Sequence, residues 1–336
     1  MGRYDAFLMA TALAALMSLP SVPLAPHATP IDELTRLPAA LGASSTSMPR
    51  VFIKRDDLLS FGCGGNKVRK IQTVLAEAQA QGADALVTCG GVQSNHARVT
   101  AAAGAAMGLK VVLVVNGPAQ SSPTANARLD VLFGADVRHV ASRDDRVPAM
   151  ESAARELRDA GHRPFIVPLG ASTPTGALGF ARGISEMVAA GMRPTVIIHS
   201  SSSGGTQAGL IAGCALFGLA TRVIGVSADE SADSLARTVS ALLDGIATRL
   251  GARRESIGGD REITVDDSEV GGGYGVATAA SSEALELVAR REGILLDPVY
   301  TAKAMASLIA RLRAGQFAPD DTVLFWHTGG QVGYFA

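Results

Sequence analysis

The stretch ALVTCGGVQSNHARVTAAAGAAMGLKVVLVV, residues 85–115, predicts a strand, a helix and a second strand in direct succession. Ala85–Thr88 and Lys110–Val115 are short runs rich in β-branched residues, which favour strands. Between them, Asn95–Gly108 is rich in alanine and follows Ser94, a residue type that commonly caps helices. Two strands joined through a helix lie parallel in one sheet. This unit therefore predicts an α/β fold built from parallel strands.

The same alternation continues on both sides of this unit. The other predicted strands are Arg50–Lys54, Val137–His139, Pro164–Val167, Val196–His199, Arg222–Ser227 and Thr322–Trp326. The other predicted helices are Lys67–Gln81, Ala149–Ala160, Ala177–Ala190, Thr206–Phe217, Ser234–Leu250, Ser281–Glu292 and Ala302–Ala314. The stretch from Gly258 to Gly275 is rich in glycine and aspartate and predicts a long loop. Ligands of such folds bind beyond the carboxyl ends of the strands, where the Gly- and Ser-rich segments of this chain fall.

Composition narrows the class of protein. The 336 residues are 47% hydrophobic and 18% charged, which predicts a large buried core and about two domains. A net charge of −1 disfavours a nucleic-acid partner and leaves a small molecule as the expected ligand. The three cysteines, Cys63, Cys89 and Cys214, have no C-x-x-C spacing, so we expect reduced thiols, no metal site and a cytoplasmic location.

The N-terminal segment allows three interpretations. Ala6 to Met17 are almost all apolar, as in the core of a signal peptide, which would mean export. The stretch is too short to span a bilayer, and Asp5 interrupts a weak basic region before it. Residues 1–17 are otherwise an extension, or translation starts at Met17.

The first candidate site is Gly64-Gly65-Asn66-Lys67-Val68-Arg69-Lys70. Its glycines allow a tight turn directly before a helix. A lysine at such a position can form a Schiff base with an aldehyde cofactor. Lys70 lies on the same helix face and could reach an anionic group. A basic helix start that points into solvent is the alternative interpretation.

Two further loops join a strand to a helix. In Cys89-Gly90-Gly91-Val92-Gln93-Ser94-Asn95-His96, Ser94 is a natural N-cap, and the free amides beyond it favour a carboxylate. Ser200 to Ser203, followed by Gly204-Gly205-Thr206-Gln207-Ala208-Gly209, could close backbone amides around a phosphate. The second loop has neither a Walker ending nor a G-x-G-x-x-G fingerprint. Caps and loops of these residue types also occur without ligands.

Two of the four tyrosines lie in loop-like contexts. Tyr274 stands in Gly273-Tyr274-Gly275, and Tyr300 stands in Asp297-Pro298-Val299-Tyr300-Thr301. A phenol can act as a general acid or base, or it can be a buried structural side chain. Phe325-Trp326-His327-Thr328-Gly329-Gly330 ends the last predicted strand, again where ligands gather.

Together these segments resemble the D-cysteine desulfhydrase and 1-aminocyclopropane-1-carboxylate (ACC) deaminase family of fold-type II, pyridoxal-phosphate enzymes. The resemblance runs from about Leu19 to the C-terminus through FIKRDD, GGNKVRK, GVQSNHAR, GGTQAGL, GILLDPVYTAKAM and HTGG. It implies the tryptophan-synthase-β-like fold, with two open, twisted, mostly parallel sheets flanked by helices. It also implies a large cofactor-binding domain (residues 1–69 and 169–336), a small α/β domain (70–168) and a homodimer.

The resemblance also implies residue roles. Lys67 would bind pyridoxal 5′-phosphate covalently, and Asn95 would donate a hydrogen bond to its 3′ oxygen. Gly204, Gly205 and Thr206 would hold the phosphate with help from Lys70. Ser94, with the amides near Asn95 and His96, would bind the substrate carboxylate, while Tyr274 and Tyr300 would line the substrate side.

Two positions point to a particular branch of the family. The deaminases carry Glu directly after the tyrosine of the DPVY block and Leu before the last Gly-Gly, and this chain has Thr301 and Thr328 there. His96 stands where the deaminases carry Gln. A neutral hydroxyl facing the pyridine nitrogen would not keep that nitrogen protonated, which favours prompt loss of a β-substituent. We therefore expect D-cysteine to be converted to pyruvate, ammonia and hydrogen sulfide. The alternatives are another β-substituted alanine such as L-cysteate, ACC deamination, or a non-catalytic protein that binds pyridoxal phosphate or has a regulatory role.

Overall fold

The larger of two sheets holds six strands. The structure is a computed structural model that describes residues 3–25, 28–42, 48–259 and 263–336. The strands of the larger sheet are β1 (Ile31–Glu33), β2 (Arg50–Arg55), β7 (Val196–Ser201), β8 (Arg222–Ser227), β9 (Thr264–Asp266) and β10 (Thr322–His327). Their order is β1-β2-β10-β7-β8-β9, and every neighbouring pair is parallel except β1 with β2.

The smaller sheet holds four parallel strands in the order β5-β4-β3-β6. They are β3 (Ala85–Gly91), β4 (Lys110–Asn116), β5 (Asp136–Val140) and β6 (Pro164–Ile166). All four lie within the segment 70–168 that the resemblance assigns to a small domain. The predicted boundary between residues 69 and 70 falls inside the helix Lys67–Ala80. The division into two domains stays a prediction.

Helices flank both sheets. They are α1 (Arg3–Ser18), α2 (Arg36–Ala40), α3 (Lys67–Ala80), α4 (Asn95–Met107), α5 (Ala125–Leu132), α6 (Arg146–Asp159), α7 (Pro174–Ala189), α8 (Gly205–Leu216), α9 (Ala232–Leu250), α10 (Ala279–Glu292) and α11 (Thr301–Arg313). Every residue of α8 is buried, because this helix lies between its neighbours α7 and α9. Helix α7 approaches α3 closely enough that a Cβ at Gly179 would lie 2.0 Å from the Arg69 carbonyl oxygen.

The predicted fold class and parallel sheets are confirmed, and most predicted elements match within a few residues. The long loop from 258 to 275 is wrong in part, because β9 lies inside it and pairs with β8. Among the described residues the prediction also lacked β1, α1, α2 and α5. These segments are short or rich in polar residues, except for α1.

Helix α1 packs on the large core rather than standing apart. Ala12 and Leu16 are buried in the hydrophobic cluster that also contains Phe180 and Leu210. The guanidinium of Arg182 donates to backbone carbonyls at the end of the helix, including that of Leu16 at 3.0 Å. No helix in the described part of the chain is long and apolar enough to cross a membrane.

Candidate active site

A cleft opens at the carboxyl ends of strands from both sheets, which is where the parallel fold predicts a ligand. Its empty volume is about 1020 Å³, open solvent included. The ends of β3, β4, β7 and β10 all contribute to its wall. The lining includes Lys67, Lys70, Gly90, Gly91, Ser94, Asn95, His96, Asn116, Arg143, Arg146, Ser200 to Gly204, Thr206, Asp229, Tyr274, Tyr300 and Thr328.

Lys67 is the first residue of α3 and lies where two glycine-rich turns meet. Gly65 and Gly329 both have positive φ, and a Cβ on Gly329 would lie 2.6 Å from the Gly65 Cα. Only glycines allow this approach. The Asn66 amide nitrogen donates to the Thr328 carbonyl at 2.9 Å, and its side chain donates to Thr206 Oγ1 at 3.2 Å. The start of α3 is thereby tied to the opposite loops of the cleft.

A cup of small and hydroxylic residues faces Lys70. Gly204 has φ +74° and precedes α8, whose first-turn amides have no partners within the helix. A Cβ on Gly205 would lie 2.7 Å from Ser172 Oγ and 3.0 Å from Lys70 Nζ. Ser172 Oγ accepts from Lys70 Nζ at 2.9 Å and lies 2.7 Å from Ser203 Oγ. Donors thus converge on a space that a side chain at position 205 would fill.

The two buried lysine amines in this region favour a bound anion. Burial lowers the pKa of Lys67 to about 8, and it lowers the pKa of Lys70 well below 10.5 with help from the nearby Lys67 charge. In the described part of the chain no carboxylate compensates either amine. The buried Ser201 Oγ in the same wall has no hydrogen-bond partner. Two uncompensated amines, helix amides and spare hydroxyls fit a phosphate group with an aldehyde nearby.

Ser94 caps α4 on the smaller-sheet side, and Asn95 and His96 are its first two residues. Ser94 Oγ caps the helix by accepting from the Ala97 amide at 3.2 Å. The buried His96 places Nε2 2.7 Å from Thr88 Oγ1, whose hydroxyl donates to the Val167 carbonyl at 2.7 Å. Because that hydroxyl has only one proton, we assign the His96 proton to Nε2. Burial and the charge of Lys67 lower the pKa of His96 well below 6.5, so the ring is neutral.

The two tyrosines meet in the wall of the cleft. The Tyr274 and Tyr300 hydroxyls form a short hydrogen bond, and the rings meet edge to face. Burial raises the pKa of Tyr274 and raises that of Tyr300 well above 10, so both phenols are protonated at neutral pH. The Arg143 guanidinium stacks 4.8 Å from the Tyr274 ring centre and lies 3.4 Å from Asp229. Neither Arg143 nor Asp229 was predicted from the sequence, because neither stands in a motif.

The two threonines that we expected to act together lie in different places. Thr328 lines the cleft, and its Oγ1 lies 2.7 Å from Ser200 Oγ. Thr301 does not belong to the described lining. Its fully buried hydroxyl donates to Asp297 Oδ1 at 2.7 Å and accepts from the Asp297 amide at 2.7 Å. The Thr301 hydroxyl therefore fixes the start of α11, whereas Thr328 and Ser200 place their hydroxyls in the wall of the cleft.

Comparison with known proteins identifies the family. The model of the pyridoxal-phosphate-dependent enzymes matches residues 22–329. A D-cysteine desulfhydrase of Yersinia pestis (strain Pestoides F) is 36% identical over 329 residues, covering 96% of this chain and 97% of the relative. This chain belongs to the D-cysteine desulfhydrase and ACC deaminase family. An ACC deaminase of Burkholderia cenocepacia is similar at 38% identity over 330 residues, covering 94% of this chain and 95% of the relative.

A solved structure confirms the fold at the level of this family. The crystal structure of an ACC deaminase homologue superposes with a TM-score of 0.88 at 34% identity, covering 97% of this chain and 96% of that one. Pyridoxal phosphate is therefore the cofactor, in agreement with the sequence-based prediction. Identity at this level to both a desulfhydrase and a deaminase leaves the substrate to be argued from the site.

Proposed function

We propose that the protein is a carbon–sulfur lyase that acts on D-cysteine. In the balanced reaction, D-cysteine and water give pyruvate, ammonia and hydrogen sulfide. The bond between the β-carbon and sulfur breaks, the sulfur leaves with a proton, and water replaces the amino group. Bound pyridoxal phosphate supplies the electron sink that makes the α-proton of an amino acid removable.

The observation that carries this proposal is the presence of a base and two acids in one cleft. Lys67 has an amine whose pKa burial lowers to about 8, so roughly a tenth of the amine is unprotonated at pH 7 and can accept a proton. Tyr300, with its pKa raised by burial, keeps its proton and can donate a hydrogen bond to a departing sulfur, and Tyr274 supports it by hydrogen bonding. Base-assisted loss of an α-proton with acid-assisted loss of a β-substituent is a β-elimination.

The remaining residues have binding roles in this proposal. Gly204, Gly205 and Thr206 would hold the phosphate together with Lys70, and Lys67 would hold the aldehyde carbon. Ser94 and the first amides of α4 would bind the substrate carboxylate, because a helix N-terminus favours an anion. The neighbouring His96 would present a neutral ring to the same substrate.

The hydroxyls of Thr328 and Ser200 support a sulfur substrate over ACC. Thr328 and Ser200 share a hydrogen bond in the wall of the cleft, and neither can supply a negative charge. If they face the pyridine nitrogen, that nitrogen is not held protonated and the ring withdraws electrons less strongly. Expulsion of a thiol requires less electron withdrawal by the pyridine ring than the opening of the cyclopropane ring of ACC does.

One observation favours a second candidate substrate, L-cysteate. Arg146 lines the cleft, and its Nε donates to the Arg143 carbonyl at 3.1 Å. Its remaining donors have no carboxylate partner among the residues that the structure describes. A sulfonate is an anion that a guanidinium binds well.

We also propose, from the family resemblance, that the protein works as a cytoplasmic homodimer with a small domain at residues 70–168. Sedimentation of the purified protein tests the dimer. Limited proteolysis tests the domain bounds, with cleavage expected near residue 168.

The substrate proposal is tested by a panel of six compounds. Release of 2-oxo acid is measured for D-cysteine, L-cysteine, D-serine, β-chloro-D-alanine, L-cysteate and ACC, with Lys67→Ala as the inactive control. We expect kcat/KM to be greatest for D-cysteine among the natural compounds, with sulfide and pyruvate released in equal amounts. A larger kcat/KM for ACC or L-cysteate would replace the proposal with that alternative.

A further inference from the structure

The side-chain amide of Asn95 has a single orientation that its neighbours dictate. Its Oδ1 lies 3.0 Å from Asn126 Nδ2 and 3.3 Å from Arg98 Nη1. A guanidinium can only donate hydrogen bonds, so an oxygen and not a nitrogen must face Arg98. The Asn95 oxygen is thereby occupied, and its Nδ2 is left as a donor at a residue that lines the cleft.

Asn126 is itself held in one orientation. Its side chain is buried, with Oδ1 accepting from Arg98 Nη1 at 3.1 Å and Nδ2 donating to the Gln93 carbonyl at 2.8 Å. Its backbone amide donates to Gln93 Oε1 at 3.0 Å. Asn126 therefore cannot exchange its oxygen and nitrogen without losing several hydrogen bonds at once, and it must donate to Asn95.

Arg98 connects this amide to the loop that carries Lys67. The Arg98 side chain is fully buried, and its Nη2 donates to the Gly64 carbonyl at 2.8 Å. Gly64 lies three residues before Lys67. The described residues place no carboxylate within hydrogen-bonding distance of Arg98, which is costly for a buried cation unless its donors are used precisely. Its two terminal nitrogens donate to three oxygens, those of the Asn95 and Asn126 side chains and of the Gly64 carbonyl, and Nε has no partner among the described residues.

We propose that Arg98 and Asn126 are positioning residues that make Asn95 a hydrogen-bond donor to an anionic ring oxygen of the cofactor. This inference rests on the proposed contact between Asn95 and the 3′ oxygen. A donor at that oxygen stabilises its ionised form and lowers the affinity of the neighbouring nitrogen for a proton. If the Asn95 amide flips, its oxygen would face the 3′ oxygen of the cofactor. The neighbouring nitrogen would then hold its proton more tightly.

The test is a pH titration of the visible absorbance band of the cofactor-loaded protein. The variants are Asn95→Ala, Asn126→Leu and the isosteric Asn126→Asp, which cannot donate to the Asn95 oxygen. Exposed Val131 lies on the same helix, α5, so Val131→Ala is the matched control. We expect both Asn126 variants to raise the titration midpoint by roughly one pH unit, as Asn95→Ala does, because a hydrogen bond to a charged group is lost. Val131→Ala should titrate like the wild type.

The double variant Asn95→Ala with Asn126→Leu separates positioning from a general structural effect. If Asn126 acts through Asn95, the double variant shows the midpoint of Asn95→Ala alone, whereas independent effects would add. Two outcomes overturn the inference. In the first, both Asn126 variants titrate with the wild-type midpoint while Asn95→Ala has a shifted midpoint. That result overturns the inference and leaves the proposed function intact. The other is a midpoint that Asn95→Ala does not move. A protein without any visible band would instead overturn the proposed function and the inference together.

Discussion

At the scale of single residues, Asp56 connects the core of the larger sheet to the helix that carries Lys67. Its fully buried carboxylate accepts from Arg69 Nε and from Trp326 Nε1, each at 2.7 Å, and from Thr29 Oγ1 at 2.9 Å. Arg69 also donates to Glu186 at 2.6 Å. Burial alone would raise the pKa of Asp56, but the charge and hydrogen bonds of Arg69 outweigh it and hold that pKa below 3.8.

We predict that Asp56→Asn destabilises the protein strongly, since it leaves the buried Arg69 with less compensation. The free energy of unfolding should fall by about 3–5 kcal/mol, as when one partner of a buried ion pair is removed. The matched control is Glu33→Gln, which removes a carboxylate from a pair with Arg50 on an exposed surface. Urea unfolding measures both variants. Equal, small effects of the two substitutions would contradict the role of Asp56.

At this scale, the site residues that stand in sequence motifs could be predicted. Residues whose contacts join distant parts of the sequence were missed. Lys67, Asn95 and Tyr300 could be named because each stands in a short motif at, or directly before, the start of a helix. Asn126 could not, because its side-chain partners lie 28 or more residues away and nothing local marks it. Arg98 ends the GVQSNHAR block, but its contacts with Asn126 and Gly64, 28 and 34 residues away, are not visible in that block. The motif around Thr301 shows that it follows Tyr300 but not that its hydroxyl turns toward Asp297, and its contact with the cofactor stays a prediction.

At the scale of elements, the loop between β7 and α8 is the expected phosphate site. Gly205→Asp would place a Cβ within 3.0 Å of Lys70 Nζ and add a negative charge where a phosphate is expected. We predict at least a hundredfold loss of cofactor affinity, on the order of 3 kcal/mol, with the fold retained. Gly333→Asp is the control, because a Cβ there meets nothing within 4 Å. Equilibrium dialysis with pyridoxal phosphate measures both, and an unchanged affinity in Gly205→Asp would place the phosphate elsewhere.

Elements with a strong hydrophobic run were predicted closely, and short ones were not. The strand at Arg222–Ser227 has the same bounds in sequence and structure, because a β-branched run is flanked by polar residues. Strands β1 and β9 have only three residues each, and their acidic side chains disfavour strands. Both form because a neighbouring strand already presents free backbone groups, a cause that lies outside their own sequence.

At the scale of the whole molecule, buried histidines make stability depend on pH. Burial lowers the pKa of His199 to about 4, and it lowers those of His96 and His327 below 6.5. A group whose folded pKa is lowered contributes stability above its unfolded pKa, and that stability is lost as the pH falls through the folded pKa. For His199 this window runs from about pH 6.5 to about pH 4. Asp130 acts in the opposite sense, because burial raises its pKa to about 7.

We predict that His199→Gln reduces the loss of stability between pH 7.5 and pH 4.5 by about 2–3 kcal/mol, the linkage expected for a shift of this size. Asp130→Asn should change the pH dependence with the opposite sign, stabilising the protein more at pH 7.5 than at pH 4.5. The exposed His139→Gln is the control for removal of a histidine. Urea unfolding gives, for each of the three variants, the change in the free energy of unfolding between pH 7.5 and pH 4.5. If all three variants show the same pH dependence, the pKa shifts assigned to His199 and Asp130 are wrong.

The central claim is that Lys67 holds the cofactor, and one measurement tests it most directly. The purified protein is loaded with pyridoxal phosphate, reduced with borohydride and digested, and the modified peptide is located by mass spectrometry. We predict a single phosphopyridoxyl group on Lys67, which disappears in Lys67→Ala while Lys70 stays unmodified in both proteins. A modification on Lys70 or on any other lysine of the wild type, with Lys67 free, would contradict the account.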